Sequence, residues 1–163
     1  NGPIDNYFCI EKDYKHGLID LNGNIIIEPK YETSIYLHDG LAIFTELNKK
    51  GLMDSSENII IEPKYDEITY WGDLFQVELD GKKGLFSNKG KQITQIIYDE
   101  FRYVMEEEII EVNENGKWGI CDYEGNIIVK PIYDELGYSG EGWIPAKLGD
   151  KWIYINAKGE KLQ

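Results

Sequence analysis

The chain repeats one motif of about 34 residues several times. This repeat restricts the possible folds more than any other feature of the sequence. Four glycines recur at spacings of 34, 33 and 35 residues: Gly17, Gly51, Gly84 and Gly119. A tyrosine follows each glycine at a constant distance of 14 residues: Tyr31, Tyr65, Tyr98 and Tyr133. Repeats of this length indicate a stacked array, in which one copy cannot bury its apolar face without its neighbours.

Each copy is predicted to contain three β-strands. The first begins near the repeat glycine, and a turn such as Asn22-Gly23 leads into an Ile-rich second strand such as residues 25–27. Asn-Gly between two apolar runs indicates a two-residue hairpin, because both turn positions take positive φ. The third strand, for example residues 41–47, turns back into the next copy. The predicted fold class is therefore all-β, an open and curved tandem array of three-stranded antiparallel units. The alternative is a closed, propeller-like ring.

The variation in length between copies falls between the repeat tyrosine and the third strand. Insertions and deletions are tolerated in loops and resisted in paired strands, so these segments are predicted to be exposed loops. They are residues 32–40, 66–73, 99–108 and 134–142. A single repeat domain is expected over residues 1–163. Its units cover approximately residues 14–47, 48–80, 81–114 and 115–149, with a partial unit at 150–163 and a lone strand at 7–12.

The charge of the chain bears on its partners. There are 30 Asp and Glu residues against 17 Lys and Arg residues, which gives a formal net charge of −13. Such a surface repels phosphate backbones, so the sequence predicts no nucleic-acid partner and favours a basic protein. No apolar run approaches the length of a membrane-spanning helix, and no membrane partner is expected.

Signals of catalysis are weak. The chain has two histidines and two cysteines, without metal-ligand spacing or a Gly-rich phosphate loop. Cys121 shares its repeat position with Ile19, Met53 and Phe86, and is therefore predicted to be a core thiol. The sequence predicts no enzyme, no catalytic residue, no cofactor and no metal site.

The residues before each repeat glycine suggest a family. They read Lys15-His16-Gly17, Lys49-Lys50-Gly51, Lys82-Lys83-Gly84, Lys117-Trp118-Gly119 and, in the last copy, Lys151-Trp152-Ile153. Together with the Gly-containing turn and the Pro-x-Tyr-Asp-Glu segment, the chain resembles the WG (KWG) repeat family of bacterial proteins. The resemblance implies an all-β repeat fold, a bacterial origin and a role as an interaction module. Some such repeats occur beside polymorphic toxin systems, which makes an immunity role conceivable.

Two repeated columns could serve either the fold or a partner. A second tyrosine follows each repeat tyrosine by five residues: Tyr36, Tyr70, Tyr103 and Tyr138. These rings are expected to form an internal aromatic stack, and the alternative is a ladder presented to a partner. An acid directly follows each repeat tyrosine: Glu32, Asp66, Asp99 and Asp134. These acids are expected to cap turns, and the alternative is an acidic ridge.

Positions that depart from the repeat are the better candidates for binding. One is Trp71, which lies beside Tyr70 in the sequence. Another is the acidic run of the third copy, residues 106–108, which has Arg102 nearby. The leading hypothesis is a protein-binding module that meets a basic partner through Tyr70, Trp71, Arg102, Glu106, Glu107 and Glu108. One alternative is an immunity protein that neutralises a cognate toxin. Another is a hydrolase of surface glycans, which would need two carboxylates at a fixed separation.

Overall fold

A computed structural model of the chain describes residues 7–104 and 108–162. Within these ranges every regular element is a β-strand, and every pairing between named strands is antiparallel. The strands form five sheets of three or four strands, none of which closes on itself. The predicted all-β tandem array is confirmed. No helix in the described ranges is long and apolar enough to cross a membrane.

Each sheet is made of consecutive strands. The first holds β1 (Tyr7–Lys12), β2 (Lys15–Asp20) and β3 (Ile25–Tyr31). The second holds β4 (Leu37–His38), β5 (Leu41–Glu46), β6 (Lys49–Asp54) and β7 (Ile59–Tyr65). The third holds β8 (Glu67–Trp71), β9 (Leu74–Leu79) and β10 (Lys82–Ser87). The fourth holds β11 (Glu100–Val104), β12 (Ile109–Glu114), β13 (Lys117–Cys121) and β14 (Ile127–Tyr133). The fifth holds β15 (Glu135–Leu136), β16 (Ile144–Leu148) and β17 (Lys151–Ile155).

The sheets are out of phase with the copies in the sequence. In the second sheet, the third strand of one copy, β5, pairs with the first strand of the next, β6, from Leu41↔Asp54 to Glu46↔Lys49. The pairing continues from β6 to β7, so the strand order is β4-β5-β6-β7. Neighbouring copies are thus joined by backbone hydrogen bonds as well as by side-chain packing.

The segments predicted as loops also contain strands, so that prediction is partly wrong. Each sheet after the first has a short outer strand from such a segment: β4, β8, β11 or β15. The longest of these, β8 and β11, have five residues each. The third strand of a copy would otherwise present an unpaired edge, and the outer strand satisfies its backbone groups.

The second strand of the third copy, expected at residues 92–94 as the equivalent of residues 25–27, is not formed as a strand. Only the isolated bridges Phe86↔Gln92 and Lys83↔Tyr98 appear along this segment in the described chain. Thr94 stands where other copies bury Ile27, Ile61 or Val129. The segment therefore contributes less apolar area to hold a regular strand in place.

The chain divides into two compact units. The N-terminal unit comprises Asn1–Asp80 and Leu85–Gln92, and the C-terminal unit comprises Gly81–Gly84 and Ile93–Gln163. A core cluster of the N-terminal unit contains Leu18, Ile27, Ile35, Ala42, Phe44 and Met53. A core cluster of the C-terminal unit contains Ile109, Trp118, Ile120, Val129, Tyr133, Leu136, Ile144, Ala146 and Ile155. Cys121 is fully buried, as predicted, and burial raises the pKa of its thiol to about 12.

Two kinds of turn connect the strands. The hairpins that enter the four full copies are two-residue turns with positive φ at both positions, as at Asn115 (52°) and Gly116 (78°). The predicted turn of this kind at Asn22-Gly23 is wrong, because only Gly23 has positive φ there. Asp20 accounts for the difference. One of its carboxylate oxygens accepts hydrogen bonds from the backbone N–H groups of Asn22 and Asn24, each at 2.8 Å, and so closes a wider turn.

Three repeat glycines, Gly17, Gly51 and Gly119, occupy equivalent places of close backbone contact, whereas a Cβ atom at Gly84 would meet the Ile96 side chain first, at 2.8 Å. A Cβ atom at Gly17 would lie 2.3 Å from the carbonyl oxygen of Ile27, and one at Gly119 would lie 2.5 Å from that of Val129. The strand register shifts at these points, between His16 and Leu18 in the first sheet. Glycine is kept here because a side chain would push the second strand away from the first.

A second glycine column joins successive copies. Gly90, in the turn of the third copy, has φ of +76°, and a Cβ atom on it would lie 2.3 Å from the carbonyl oxygen of Ile60. Gly125 in the C-terminal unit meets Ile93 in the same way, at 2.0 Å. The turn of one copy therefore packs against the preceding copy. It contacts the second strand there, or, in the third copy, the segment that takes the place of that strand.

The acidic column forms a repeated bridge, as the expectation of turn caps requires. Asp99 accepts a hydrogen bond from Lys82 Nζ at 2.5 Å, and its second oxygen accepts the backbone N–H of Asn115 at 2.7 Å. The same arrangement recurs at Lys49–Asp66–Asp80 and Lys117–Asp134–Gly149. The lysine and the backbone donors lower the pKa of each of these aspartates. We call this unit the lysine–aspartate–turn bridge.

Replacing Gly90 by alanine should cost about 3 kcal/mol of stability, from overpacking against the Ile60 carbonyl and the positive φ together. The matched control is Gly23→Ala in the same compact unit. Gly23 has similar φ, +81°, but nothing within 4 Å of the added atom, so the cost should be about 1 kcal/mol. Urea unfolding of both variants measures the difference, and equal losses would contradict the contact.

Replacing Asp99 by asparagine should lower the melting temperature near neutral pH. The folded pKa of Asp99 lies below its ordinary value of 3.8, so its contribution is present above that value and is lost as pH falls through the folded pKa. The wild type and Asp99→Asn should therefore converge in acid. Asp150→Asn, at an exposed acid of the same unit, is the control and should change little. A difference that persists in strong acid would exclude the ionic bridge as its source.

Candidate interaction surface

The second tyrosine column lies at the surface. The exposed fractions are 70% for Tyr36, 38% for Tyr70, 42% for Tyr103 and 99% for Tyr138. The repeat tyrosines of the other column are buried in three copies, at 2% for Tyr65, 6% for Tyr98 and 4% for Tyr133. The expected internal stack of the second column is therefore wrong. These tyrosines lie on or beside the short outer strands, and an edge strand has a neighbouring strand on one side only.

In the N-terminal unit, β8 places Tyr70 and Trp71 next to each other. The Tyr70 hydroxyl donates to the carbonyl oxygen of Leu41 at 3.0 Å, and its ring packs edge-on against His38 at 5.0 Å between centroids. Trp71 is half-buried and lies opposite Leu74 in the β8–β9 pairing. The hydrogen bond and the ring contact orient the Tyr70 side chain at the surface.

In the C-terminal unit, Arg102 lies at the centre of a cluster. Its guanidinium carbon is 3.4 Å from the centroid of the Trp118 ring, a cation–π contact. Its Nη1 atom lies 3.3 Å from Glu111 Oε2 and donates to the carbonyl oxygen of Leu136, also at 3.3 Å. The β11–β12 pairing produces this cluster, because Arg102 and Glu111 are directly opposite each other.

Glu111 is an unusual residue for its place. Its side chain is only 4% exposed, and burial raises its pKa, while the nearby Arg102 charge opposes that rise. Other copies have Ile43, Gln76 or Pro145 at this position. The buried carboxylate is thus a feature of one copy, and the arginine that faces it is the only one in the chain.

A cleft of ≈ 360 Å³ opens beside this cluster. Arg102 and Glu111 line it together with Val104, Tyr138 and Ser139. The Arg102 side chain is 39% exposed, and the almost fully exposed Tyr138 stands next to it. The cleft can offer a partner an aromatic ring and the free edge of a guanidinium, both common groups of interaction hot spots.

The acidic run of the third copy is described only in part. Glu108 is exposed in the turn before β12, with φ of 52°. Glu106 and Glu107 lie outside the described residues. The structure brings Tyr70 and Trp71 together in one unit, and places Arg102 in the cluster with Glu111 in the other.

The sequence indicated the acidic run near Arg102, but not that Glu111 and Trp118 contact this arginine or that Tyr138 lies beside it. A signal existed for Glu111, since it breaks its repeat column close to Arg102, whereas Trp118 shares its repeat position with Trp152. The exposure of Tyr138 has no such signal, because a repeated tyrosine is equally compatible with a core. Within residues 7–104 and 108–162, no group of three or more His, Cys, Asp or Glu side chains could hold a metal ion.

Replacing Arg102 by alanine should cost about 2 kcal/mol, because Glu111 would remain buried without its cation. The folded pKa of Glu111 is already above its ordinary value of 4.5, so protonation favours the folded state and acidification towards that value should recover part of the loss. The control is Arg102→Ala combined with Glu111→Gln, which should be more stable than the single variant near neutral pH. Urea unfolding at two pH values tests this, and a loss independent of both pH and Glu111 would contradict it.

No curated protein matches the sequence. Among solved structures, the chain is similar to a eukaryotic initiation factor, with 10% identity and a TM-score of 0.48 over 96% of this chain and 50% of that one. It is also similar to the WD40 beta propeller domain of Doa1, with 9% identity and a TM-score of 0.39 over 98% of this chain and 64% of that one. Kluyveromyces lactis Hsv2 is matched at 11% identity and a TM-score of 0.41, over 98% of this chain and 60% of that one. The chain spans between half and two thirds of these proteins, and similarity this low carries no inference about function.

The family model of the WG containing repeat matches the chain four times. The matched residues are 17–50, 51–82, 84–118 and 118–152, which together cover most of the sequence. Each of the first three matches begins at a repeat glycine, and the fourth begins at Trp118, one residue before Gly119. The resemblance drawn from the Lys-x-Gly period is confirmed, and the chain belongs to the family of WG-repeat proteins.

Proposed function

We propose that the chain is a non-enzymatic protein-binding module that meets a basic partner through its variable segments. The observation that carries this proposal is the exposed tyrosine column. All four copies retain a tyrosine at the same repeat position, and each is exposed, from 38% for Tyr70 to 99% for Tyr138. Tyrosine gives a large contact area at a small cost in side-chain entropy, and is therefore enriched where proteins bind each other.

The charge of the chain supports a basic partner. The excess of acids over bases, 30 against 17, produces a negative field over the whole surface. Several lysines are already paired within the fold, such as Lys49 with Asp66 and Lys117 with Asp134. A basic protein would be attracted to this field at low ionic strength, whereas an acidic protein would be repelled.

The side chains at the two surfaces favour recognition over catalysis. Arg102 and Glu111 neutralise each other, and the Tyr70 hydroxyl is committed to the Leu41 carbonyl. Groups held in this way act as shaped and rigid contact surfaces. Pre-organised aromatic surfaces lose little entropy when a partner binds, which favours affinity.

Affinity capture from a lysate of the organism that encodes the chain tests the proposal. We expect a basic protein to be retained at low salt and released at about 0.5 M salt, where charges are screened within a few ångströms. Tyr70→Ala combined with Tyr138→Ala should reduce its recovery about tenfold, the effect of losing hot-spot rings. The captured protein is then purified and its affinity measured directly.

The matched control is Tyr14→Ala. Tyr14 is 88% exposed but lies in the β1–β2 turn, outside the tyrosine column. Its replacement should leave recovery unchanged. Equal losses in the control and the double variant, or binding that does not respond to salt, would show that the tyrosine column is not the binding surface.

A further inference from the structure

The first full copy lacks the lysine–aspartate–turn bridge. The residues equivalent to Lys49, Asp66 and Asp80 in the next copy are Lys15, Glu32 and Leu47. Within the described residues, no hydrogen bond or ion pair joins Lys15 to Glu32, and Glu32 does not cap the turn at Leu47. The glutamate is one methylene longer than the aspartate, so it cannot place its two oxygens between the lysine and the turn in the same way.

A groove of ≈ 570 Å³ lies where the bridge is missing, in the N-terminal unit. Lys15, Glu32 and Leu47 all line it, so the position of the groove coincides with the unmade bridge. In the other copies the bridge draws the equivalent lysine and turn together. We call this cavity the first-copy groove.

Part of the wall of the first-copy groove is apolar and aromatic. Tyr31 and Phe44 line it and pack edge-on against each other, with ring centroids 5.3 Å apart. Tyr31 is half-buried, whereas the repeat tyrosines of the next three copies are buried. Leu47 is 82% exposed and Ile59 is 51% exposed, so both offer apolar area that a ligand could cover.

The charges around the groove do not cancel. Lys30 is ion-paired with Glu57, which also accepts a hydrogen bond from the Tyr31 hydroxyl at 3.0 Å. The remaining charged residues that line the groove are Lys15, Glu32 and Glu46. One base against two acids leaves a net negative charge in a chain that is itself strongly acidic. Charge complementarity therefore calls for a cationic group in the groove.

We propose that the first-copy groove binds a basic side chain of the partner protein, arginine in preference to lysine, next to an aliphatic residue. A guanidinium can compete for the Tyr31 ring with Lys30, whose Nζ lies 5.4 Å from the ring centroid, while it donates to Glu32 or Glu46. An ammonium does this less well. The C-terminal unit uses the same combination internally, with Arg102 against Trp118 and Glu111. The aliphatic neighbour covers Leu47 and Ile59. This inference rests on the proposed function and identifies what part of the partner is recognised.

The experiment uses blocked peptides as probes and the full chain as the target. Acetyl-Gly-Arg-Leu-Gly-amide is titrated into ¹⁵N-labelled protein, beside peptides that carry lysine or glutamine in place of arginine. We expect a Kd on the order of 1 mM for arginine, with amide shifts centred on Leu47, Ile59 and Phe44. The lysine peptide should bind about threefold more weakly and the glutamine peptide about tenfold more weakly.

Variants of the chain separate the groove from the rest of the surface. Glu32→Asp restores the residue found in the other copies, so the bridge to Lys15 should form, close the groove and abolish binding of the arginine peptide. Glu46→Gln should weaken binding about fivefold. Glu62→Gln changes an exposed acid of the same unit outside the groove and should have no effect.

The proposal is wrong if the arginine and glutamine peptides bind alike, if the shifts lie outside the groove, or if Glu32→Asp binds as the wild type does. These outcomes differ from a failure of the proposed function. If the captured partner depends on Tyr70 and Tyr138 but not on Glu32 or Glu46, the groove is not used while the module still binds proteins. If the peptide binds the groove and no partner is captured, the site exists and the proposed use of the tyrosine column is wrong.

Discussion

The fold depends on backbone groups that approach each other where a side chain would not fit. At Gly17 and Gly119 the first strand of a copy comes so close to the second that a Cβ atom would overlap its carbonyl oxygen. At Gly90 and Gly125 a turn rests on the carbonyl of the preceding copy in the same manner. These contacts fix the strand register within a sheet and the way one copy packs on the next. Apolar side chains then fill the space between the strands.

Departures from the repeat show where this chain differs from a uniform array. Glu57 stands in the column of Gly90 and Gly125, and its side chain reaches back to Lys30 and Tyr31. Arg102 and Glu111 replace uncharged residues of the other copies and form a cluster on Trp118. Each departure adds an ionic group at a place where the other copies use backbone or apolar contacts. In a repeat protein the sibling copies act as internal controls, because they share the fold but not these groups.

The sequence predicted the all-β class, the strand at each repeat glycine and the core position of Cys121, since spacing and apolar pattern determine these features. The aspartate caps followed from the turn chemistry of the residue type. The outer strands β8 and β11 were not predicted, because variation in length between copies usually indicates loops. A short edge strand can accommodate the same variation in length. The exposure of the second tyrosine column could not be predicted, because it depends on which strand forms the edge of each sheet. Arg102 was identified, while its partners depended on a cross-strand register that the sequence does not display.

The lysine–aspartate–turn bridge has a consequence for how such a gene can change in length. All three participants lie within about one period of the chain, as Lys82, Asp99 and the Asn115 amide do, so a bridge extends at most to the first residue of the next copy. Duplicating or deleting a whole period leaves every bridge intact and moves each turn onto an equivalent carbonyl. Losing part of a period breaks a bridge and removes the seat of the next turn. During evolution such an array should therefore gain or lose whole periods. A single copy can acquire residues of its own while its neighbours stabilise it.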